Sequence, residues 1–287
     1  DLGKGVYNVY GIGSEGFNVC SIQFAIHYMF QSKLTLHNFL RNVSETTKEG
    51  GYFIGTSYDG QEIFKKLINK EKGEGEILME EDDKIWEITK QYDYDKFSDD
   101  SSCLGYTIDV YQESINKKFP EFLVNYNYLT RLLENYGFTP LTDNEAREMG
   151  FKNSIGNFKD LYDIMLTEPE KNRKNKYSLA EFMTKNERTI SFLNKYFIYK
   201  KRRNVDAETI AKNALTQTID DELDEQEAQV KINDIIIETR IEAENKKENE
   251  TETKTTKKIK KKITLADTSE EKPKKKKIRR KLNVSNT

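Results

Sequence analysis

The sequence predicts an α/β fold, an open sheet with helices packed against it, and three observations carry that reading. First, a strand-type run from Phe17 to Ile22 is followed in order by a helical run, a second strand and a second helix. Second, every aromatic side chain lies before residue 200, so the apolar material is concentrated in one sizeable domain and not spread over two. Third, Gln23, His27 and Tyr28 crowd into the otherwise apolar stretch Phe17–Phe30, at the point where the first strand should give way to a loop or short helix. The carboxyl ends of strands in open α/β sheets are where ligands bind. Polar groups of three kinds at that point suggest a small-molecule pocket. The plainer alternative is that backbone groups satisfy Gln23 and His27 while Tyr28 packs in the core.

The elements follow in order. Residues 1–16 are Gly-rich, and Gly11-Ile-Gly-Ser-Glu-Gly16 fits the dinucleotide pattern G-x-G-x-x-G. That pattern needs a strand before it and a helix opening within it, so that the helix N-terminus faces a phosphate. Here a strand follows, and the segment reads as a loop. Phe17, Val19 and Ile22 give the first strand its β-branched and aromatic character. Leu36, Phe39, Leu40 and Val43 then recur at helical spacing within Lys33–Lys48, and Gly50-Gly51 ends the run. Tyr52–Thr56 reads as the next strand, and Ile63, Phe64 and Leu67 mark a short helix over 60–68. This alternation predicts a parallel sheet.

Further on, Ile77-Leu-Met and Ile85-Trp-Glu-Ile flank Glu80-Glu-Asp-Asp83, which predicts a β-hairpin with an acidic turn. Residues 93–103 read as polar and flexible, and Tyr106–Tyr111 alternates as a strand. Pro120 suits the first position of a helix, continued by Phe122, Tyr126, Leu129, Leu133 and Tyr136 up to Gly137. Residues 143–190 give weaker helical signals around an irregular stretch, and Ile190–Tyr199 is expected to close the domain as a strand.

After Arg203 the composition changes. Residues 220–250 are mostly acidic and amide, and residues 254–281 are dominated by Lys, as in Lys260-Lys-Lys262 and Lys274–Lys277. Blocks of this kind bury too little to form a core, so 203–287 is expected to be a disordered acidic-then-basic tail. The formal net charge of −2 conceals the two opposed segments. A basic tail can contact RNA phosphates, serve as a nuclear address, or simply be solvated. Cys20 and Cys103 are too few for a disulfide framework and have no metal-ligand spacing, which suits a reducing, intracellular compartment. No apolar run approaches the roughly 18 residues of a membrane span, so no membrane partner is expected.

With Gln23-Phe-Ala-Ile-His-Tyr28, Gly50-Gly-Tyr-Phe-Ile-Gly-Thr56 and Pro120-Glu-Phe-Leu-Val124 in view, the chain resembles the mRNA cap (guanine-N7) methyltransferases, most of all the giant-virus and poxvirus type. The resemblance covers residues 1 to about 202. It implies a Rossmann-like fold that moves a methyl group from S-adenosylmethionine, with no metal, to N7 of the guanine on a capped RNA. By the resemblance, Gln23 and Tyr28 contact the methyl donor, and His27 and Glu121 contact the cap. The position of a further cap-contacting Tyr is held here by Asn194, with Tyr196 or Phe192 as substitutes. Taken without the resemblance, Glu121 reads as a carboxylate in the first turn of a helix, Asp59 as a helix cap, and Phe24 and Phe30 as core.

The family's acidic-glycine donor loop is not found before Phe17. The expectation is therefore that residues 1–202 are the carboxyl-terminal portion of the methyltransferase domain, that the amino-terminal part of its sheet lies upstream of Asp1, and that this chain alone binds S-adenosylmethionine poorly. Upstream triphosphatase and guanylyltransferase domains of the same polypeptide fit the same expectation. So do a nuclear, virion or viral-factory location. The rival reading is a non-catalytic, methyltransferase-like module that grips RNA with the basic tail.

Overall fold

A computed structural model describes residues 11, 13–177 and 179–216, without the side chains of residues 174 and 175. β1 (Phe17–Gln23) leads through a 3₁₀ turn, Ile26–Gln31, into α1 (Lys33–Thr46). Ser32 starts that helix with a capping box: its hydroxyl accepts from Thr35 N–H while the Thr35 hydroxyl accepts from Ser32 N–H. The predicted stripe is the buried one, with Leu36, Leu40 and Val43 in the core. β2 (Thr47–Tyr58) then runs parallel to β1, pairing Val19 with Tyr52 and Gln23 with Thr56. α2 (Gly60–Leu67) follows, capped by Asp59 and burying Ile63, Phe64 and Leu67. Asp59 is also held by Lys195 at 2.8 Å, so its role is the structural one.

The sheet is mixed and not wholly parallel as the alternation suggests. β9 (Asn194–Lys201) lies antiparallel against β2, and two three-residue strands, β7 (Phe138–Pro140) and β8 (Ile155–Asn157), pair antiparallel with β9. β1 ends the strand order, with β2 as its one partner among the described residues. Gly55 lies where β2 is most crowded. A Cβ there would sit 2.3 Å from the Ile22 carbonyl oxygen and 2.4 Å from the Phe197 ring, so no larger residue fits.

A second, antiparallel sheet holds β3 (Gly75–Glu80), β4 (Asp83–Lys90), β5 (Thr107–Gln112) and β6 (Lys117–Phe122) in that order. β3 and β4 form the predicted hairpin. The segment expected to be flexible, 93–103, is anchored by Phe97 and Cys103, both buried. Pro120 and Glu121 do not open a helix. They belong to β6, the edge of this sheet, where a residue without an N–H is tolerated. The helix starts later, at α3 (Tyr126–Asn135), because Asn125 offers the better cap: its side chain accepts from Tyr128 N–H at 3.0 Å.

Three short helices, α4 (Asp143–Glu148), α5 (Phe158–Thr167) and α6 (Glu170–Tyr177), fill the region between β7 and the end of the domain. A fourth, α7 (Lys185–Ser191), takes up Ile190, so the closing strand begins at Asn194 and not at Ile190. The Thr184–Glu187 capping box makes that segment helical. Disorder from residue 203 is also corrected. Residues 207–216 form a further helix, α8, whose Ala207 and Ala211 are buried against the core beside Val205 and Ile210. Small residues four apart make a narrow apolar stripe that a tail-wide composition averages away. The acidic and Lys-rich blocks of the tail lie outside the described residues.

One buried cation ties the sheet to α1. The Lys201 ammonium donates to the carbonyls of Ser44 at 2.6 Å and Thr47 at 2.7 Å, where the helix ends. Those carbonyls lack helical partners and carry the negative end of the dipole. Burial lowers the Lys201 pKa, and the nearby Glu49 charge opposes that shift. Lys201→Met should therefore leave two buried carbonyls without a donor and cost about 1–3 kcal/mol, read as a lower urea midpoint at unchanged m-value.

Candidate functional site

A cleft of about 650 Å³ opens at the carboxyl ends of β1 and β2, with the second sheet as its far wall. Phe158 on α5, Glu187, Ile190 and Ser191 on α7, and Asn194 contribute to it, and three further parts of the chain build the rest. The turn after β1 supplies Phe24, His27 and Tyr28, the end of β2 supplies Ser57 and Tyr58, and the β5–β6 hairpin supplies Gln112, Phe119 and Glu121. Cross-strand pairing sets the hairpin's contribution, because Ile108 faces Glu121, Val110 faces Phe119 and Trp86 faces Gln112. These pairs share one face of the pleat, on which Trp86, Ile108 and Val110 are buried in the core while Gln112, Phe119 and Glu121 line the cleft.

His27 and Glu121 meet in this cleft. The His27 Nδ1 lies 3.6 Å from Glu121 Oε2, and His27 Nε2 is buried without a hydrogen-bond partner. Burial governs both groups: it lowers the His27 pKa to about 4 and raises Glu121 to about 7. Desolvation outweighs the attraction that an ion pair would gain at this separation, so burial favours the uncharged form of each group. A buried nitrogen left without a partner is costly, and a ligand that reaches it recovers that cost. The Tyr28 ring stands edge-on to His27 at 4.2 Å and remains nearly half exposed.

Phe24 departs from expectation. Phe30 is fully buried as foreseen, but Phe24 is 54% exposed and lines the cleft. Its φ of 50° lies in the left-handed region, which is uncommon for an aromatic residue. The chain holds it there by bonds from Phe24 N–H to the Thr56 carbonyl at 2.9 Å and the Thr56 hydroxyl at 3.2 Å. The same Thr56 hydroxyl donates to Gln23 Oε1 at 2.9 Å, and Gln23 Nε2 donates to Ser21 Oγ. Gln23 is thus oriented and exposed at the end of β1, outside the lining of the cleft.

Asn194 does line the cleft, but its amide donates to the carbonyls of Ile190 at 3.3 Å and Ser191 at 3.1 Å, closing α7. Neither suggested substitute is present. Tyr196 donates its hydroxyl to the Asn153 carbonyl in a separate apolar cluster, and Phe192 packs on Tyr162 beside a second, apolar cleft. The aromatic walls come instead from Phe24, Tyr28, Tyr58, Phe119 and Phe158. Sequence reasoning passed over Tyr58 and Phe119, and hairpin register was the signal that could have found Phe119. The Tyr58 oxygen accepts from Trp86 Nε1–H at 3.0 Å and from Gln112 Nε2–H at 3.3 Å, linking the two sheets across the cleft.

Among the described residues, no group of three or more His, Cys, Asp or Glu is placed to hold a metal ion. What the cleft offers is ring faces, a buried carboxyl that accepts hydrogen bonds once ionised, and an unpartnered imidazole nitrogen. That set suits a flat heteroaromatic ligand with donors on one edge.

Residues 6–202 match the family model described as the mRNA (guanine-N(7))-methyltransferase domain. Over 135 residues the chain is 33% identical to a protein of Acanthamoeba polyphaga mimivirus named "Probable mRNA-capping enzyme", covering 43% of this chain and 11% of that protein. It is 34% identical over 121 residues to mRNA cap guanine-N(7) methyltransferase 1 of Arabidopsis thaliana, covering 42% of this chain and 31% of the relative. The Drosophila melanogaster mRNA cap guanine-N(7) methyltransferase is 31% identical over 120 residues, 42% of this chain and 26% of its own length. The chain therefore spans less than a third of the length of these relatives.

The raised pKa of Glu121 has a thermodynamic consequence. A carboxyl with a raised folded pKa binds its proton more tightly in the folded state, so its contribution is fully present at low pH and is lost as pH rises through about 7. Glu121→Gln has no proton to lose. Between about pH 5 and about pH 8 the variant should gain about 1–3 kcal/mol over the wild type, measured by urea unfolding at both values.

Proposed function

We propose, since the chain belongs to the mRNA (guanine-N(7))-methyltransferase domain family, that its cleft takes the cap guanine of an mRNA 5′ end and presents N7 to the methyl group of S-adenosylmethionine. The observation that supports this best is Glu121, set on β6 with its carboxyl beside His27 in a cleft walled by Tyr28. An ionised carboxylate accepts from guanine N1–H and N2–H₂, whereas adenine has no such pair of donors to offer. Tyr28 provides a stacking face, and the orphan His27 nitrogen a further polar contact to the base.

The transfer needs no general base, because the N7 lone pair is free. That lone pair forms the new N–CH₃ bond while the S–CH₃ bond breaks and its electrons return to sulfur. The guanine ring becomes cationic, and the Glu121 carboxylate stabilises the charge as it develops. The remainder is alignment, for which effective molarities reach roughly 10⁵ M or more. Gln23 and Tyr28 are the residues we assign to the methyl donor, the former oriented by Thr56 and Ser21.

In this reading, residues 1–202 form the carboxyl-terminal portion of a Rossmann-like methyltransferase domain whose further strands continue the sheet beyond β1. The capped RNA is the partner, and the Lys-rich blocks of 254–281 suit contact with its phosphates. Membership of a larger capping enzyme, with triphosphatase and guanylyltransferase domains on one polypeptide, agrees with the printed name of the mimivirus relative. Such an enzyme works in the nucleus or, for a virus, in the viral factory or virion.

The test uses the protein that carries this chain in full, with labelled S-adenosylmethionine and RNAs ending in GpppN or ApppN. Transfer should occur to the guanine cap alone, and Glu121→Ala should lower kcat/KM by about a hundredfold, as expected when two charge-assisted hydrogen bonds are lost. Equal transfer to both caps would sink the guanine slot. No transfer to either, with RNA binding abolished by deleting 254–281, would favour a binding module.

A further inference from the structure

We propose that Tyr58 is a specificity-determining residue of the cleft, its phenolic O–H donating to the O6 carbonyl of the bound guanine. This rests on the guanine reading of the site and adds to it a residue that neither the motifs nor the resemblance singled out.

The argument starts from the phenolic oxygen. It accepts from Trp86 Nε1–H at 3.0 Å and Gln112 Nε2–H at 3.3 Å. Two N–H donors occupy its acceptor capacity and leave its own proton as the one hydrogen-bonding direction still open. Among the described residues that proton has no acceptor, while Tyr58 and Gln112 both line the cleft. Trp86 is buried and fixed in β4, and Gln112 lies opposite it in β5, so the oxygen is held from two strands of the second sheet. A hydroxyl fixed in this way costs little further ordering when a ligand arrives.

Two other polar groups on the wall are already engaged. The Ser57 hydroxyl is shared with Tyr126 Oη at 2.7 Å and bonds the Tyr58 carbonyl at 3.1 Å. The Asn194 amide is spent on the end of α7. The phenol keeps its proton at neutral pH. Burial raises its pKa, the Trp86 and Gln112 bonds oppose that rise, and the nearby Glu121 charge adds to it. Guanine's recognition edge carries two donors, N1–H and N2–H₂, followed by one acceptor, O6. A carboxylate serves the donors and cannot serve O6, which needs an O–H or N–H from another part of the wall. Tyr58 is close enough to feel the Glu121 charge and supplies that donor. O6 has a second lone pair, which leaves room for His27 as well.

The experiment uses the 287-residue chain and titration calorimetry with three probes: GTP, ATP and 6-thio-GTP, in which a weakly accepting sulfur replaces O6. Wild type should prefer GTP to both. Tyr58→Phe removes only the hydroxyl, and it should weaken GTP by about fivefold to tenfold, leave 6-thio-GTP nearly unchanged, and so shrink the preference between them by the same factor. That ratio is taken within one preparation, so it does not depend on how much of the variant is folded. An unchanged GTP affinity would overturn the proposal. Equal losses for GTP and 6-thio-GTP would overturn it too, reducing Tyr58 to a tie between the two sheets. Failure of the wild type to prefer GTP over ATP would be a different result, one that removes the guanine reading itself.

Discussion

The placement of β2 between a parallel neighbour and an antiparallel one is the constraint on which the rest of the structure depends. Its register against β1 sets Thr56 beside Gln23, and its register against β9 sets Tyr58 beside Asn194. Both pairs lie at the end of the strand where the cleft opens. The close approach of β1, β2 and β9 requires Gly55, since the Ile22 carbonyl and the Phe197 ring occupy the space a side chain would take. A larger residue there forces the strands apart and disturbs Thr56, whose carbonyl and hydroxyl hold the strained Phe24. Sheet packing and the shape of the cleft are therefore one problem.

The electrostatics of the cleft follow from that enclosure. His27 and Glu121 have opposite tendencies under burial, one toward losing its proton and the other toward keeping it. Their common result is an apolar cleft that becomes anionic when Glu121 ionises. A base with donors on its edge, and a ring that becomes cationic during reaction, both favour that ionisation. The second sheet adds Phe119 and Glu121 from β6 and, through Trp86 and Gln112, steadies Tyr58 on β2.

Much of this was legible in the sequence where local pattern and tertiary placement agree. The stripe of Leu36, Leu40 and Val43, the β3–β4 hairpin, and the convergence of His27, Tyr28 and Glu121 all followed from spacing or from motifs. Glu121 shows the limit. The family motif pointed to a residue that lies in the cleft, whereas the local reading put it in the wrong element, because Pro120 suits an edge strand as well as a first helical turn. β7 and β8 are three residues each, too short for any period to emerge. The exposure of Phe24 depends on a backbone conformation that no side-chain pattern announces. The helix over 207–216 packs through alanines, which a hydrophobicity scan hardly registers. Phe192 was separated from Asn194 and Tyr196 by a helix end that fell within the expected strand.

The one-sided pairing of β1 bears on how the chain behaves in solution. Among the described residues, its outer row of N–H and C=O groups faces no strand, and Phe17 and Val19 stand exposed beside it. Rows of this kind template strand addition between molecules unless charge, proline or a covering segment blunts them. The seven residues of β1 contain none of Lys, Arg, Asp, Glu or Pro. Where that edge is left uncovered it offers a place for strand addition between molecules, so coverage of β1 is the practical requirement for handling the polypeptide at high concentration.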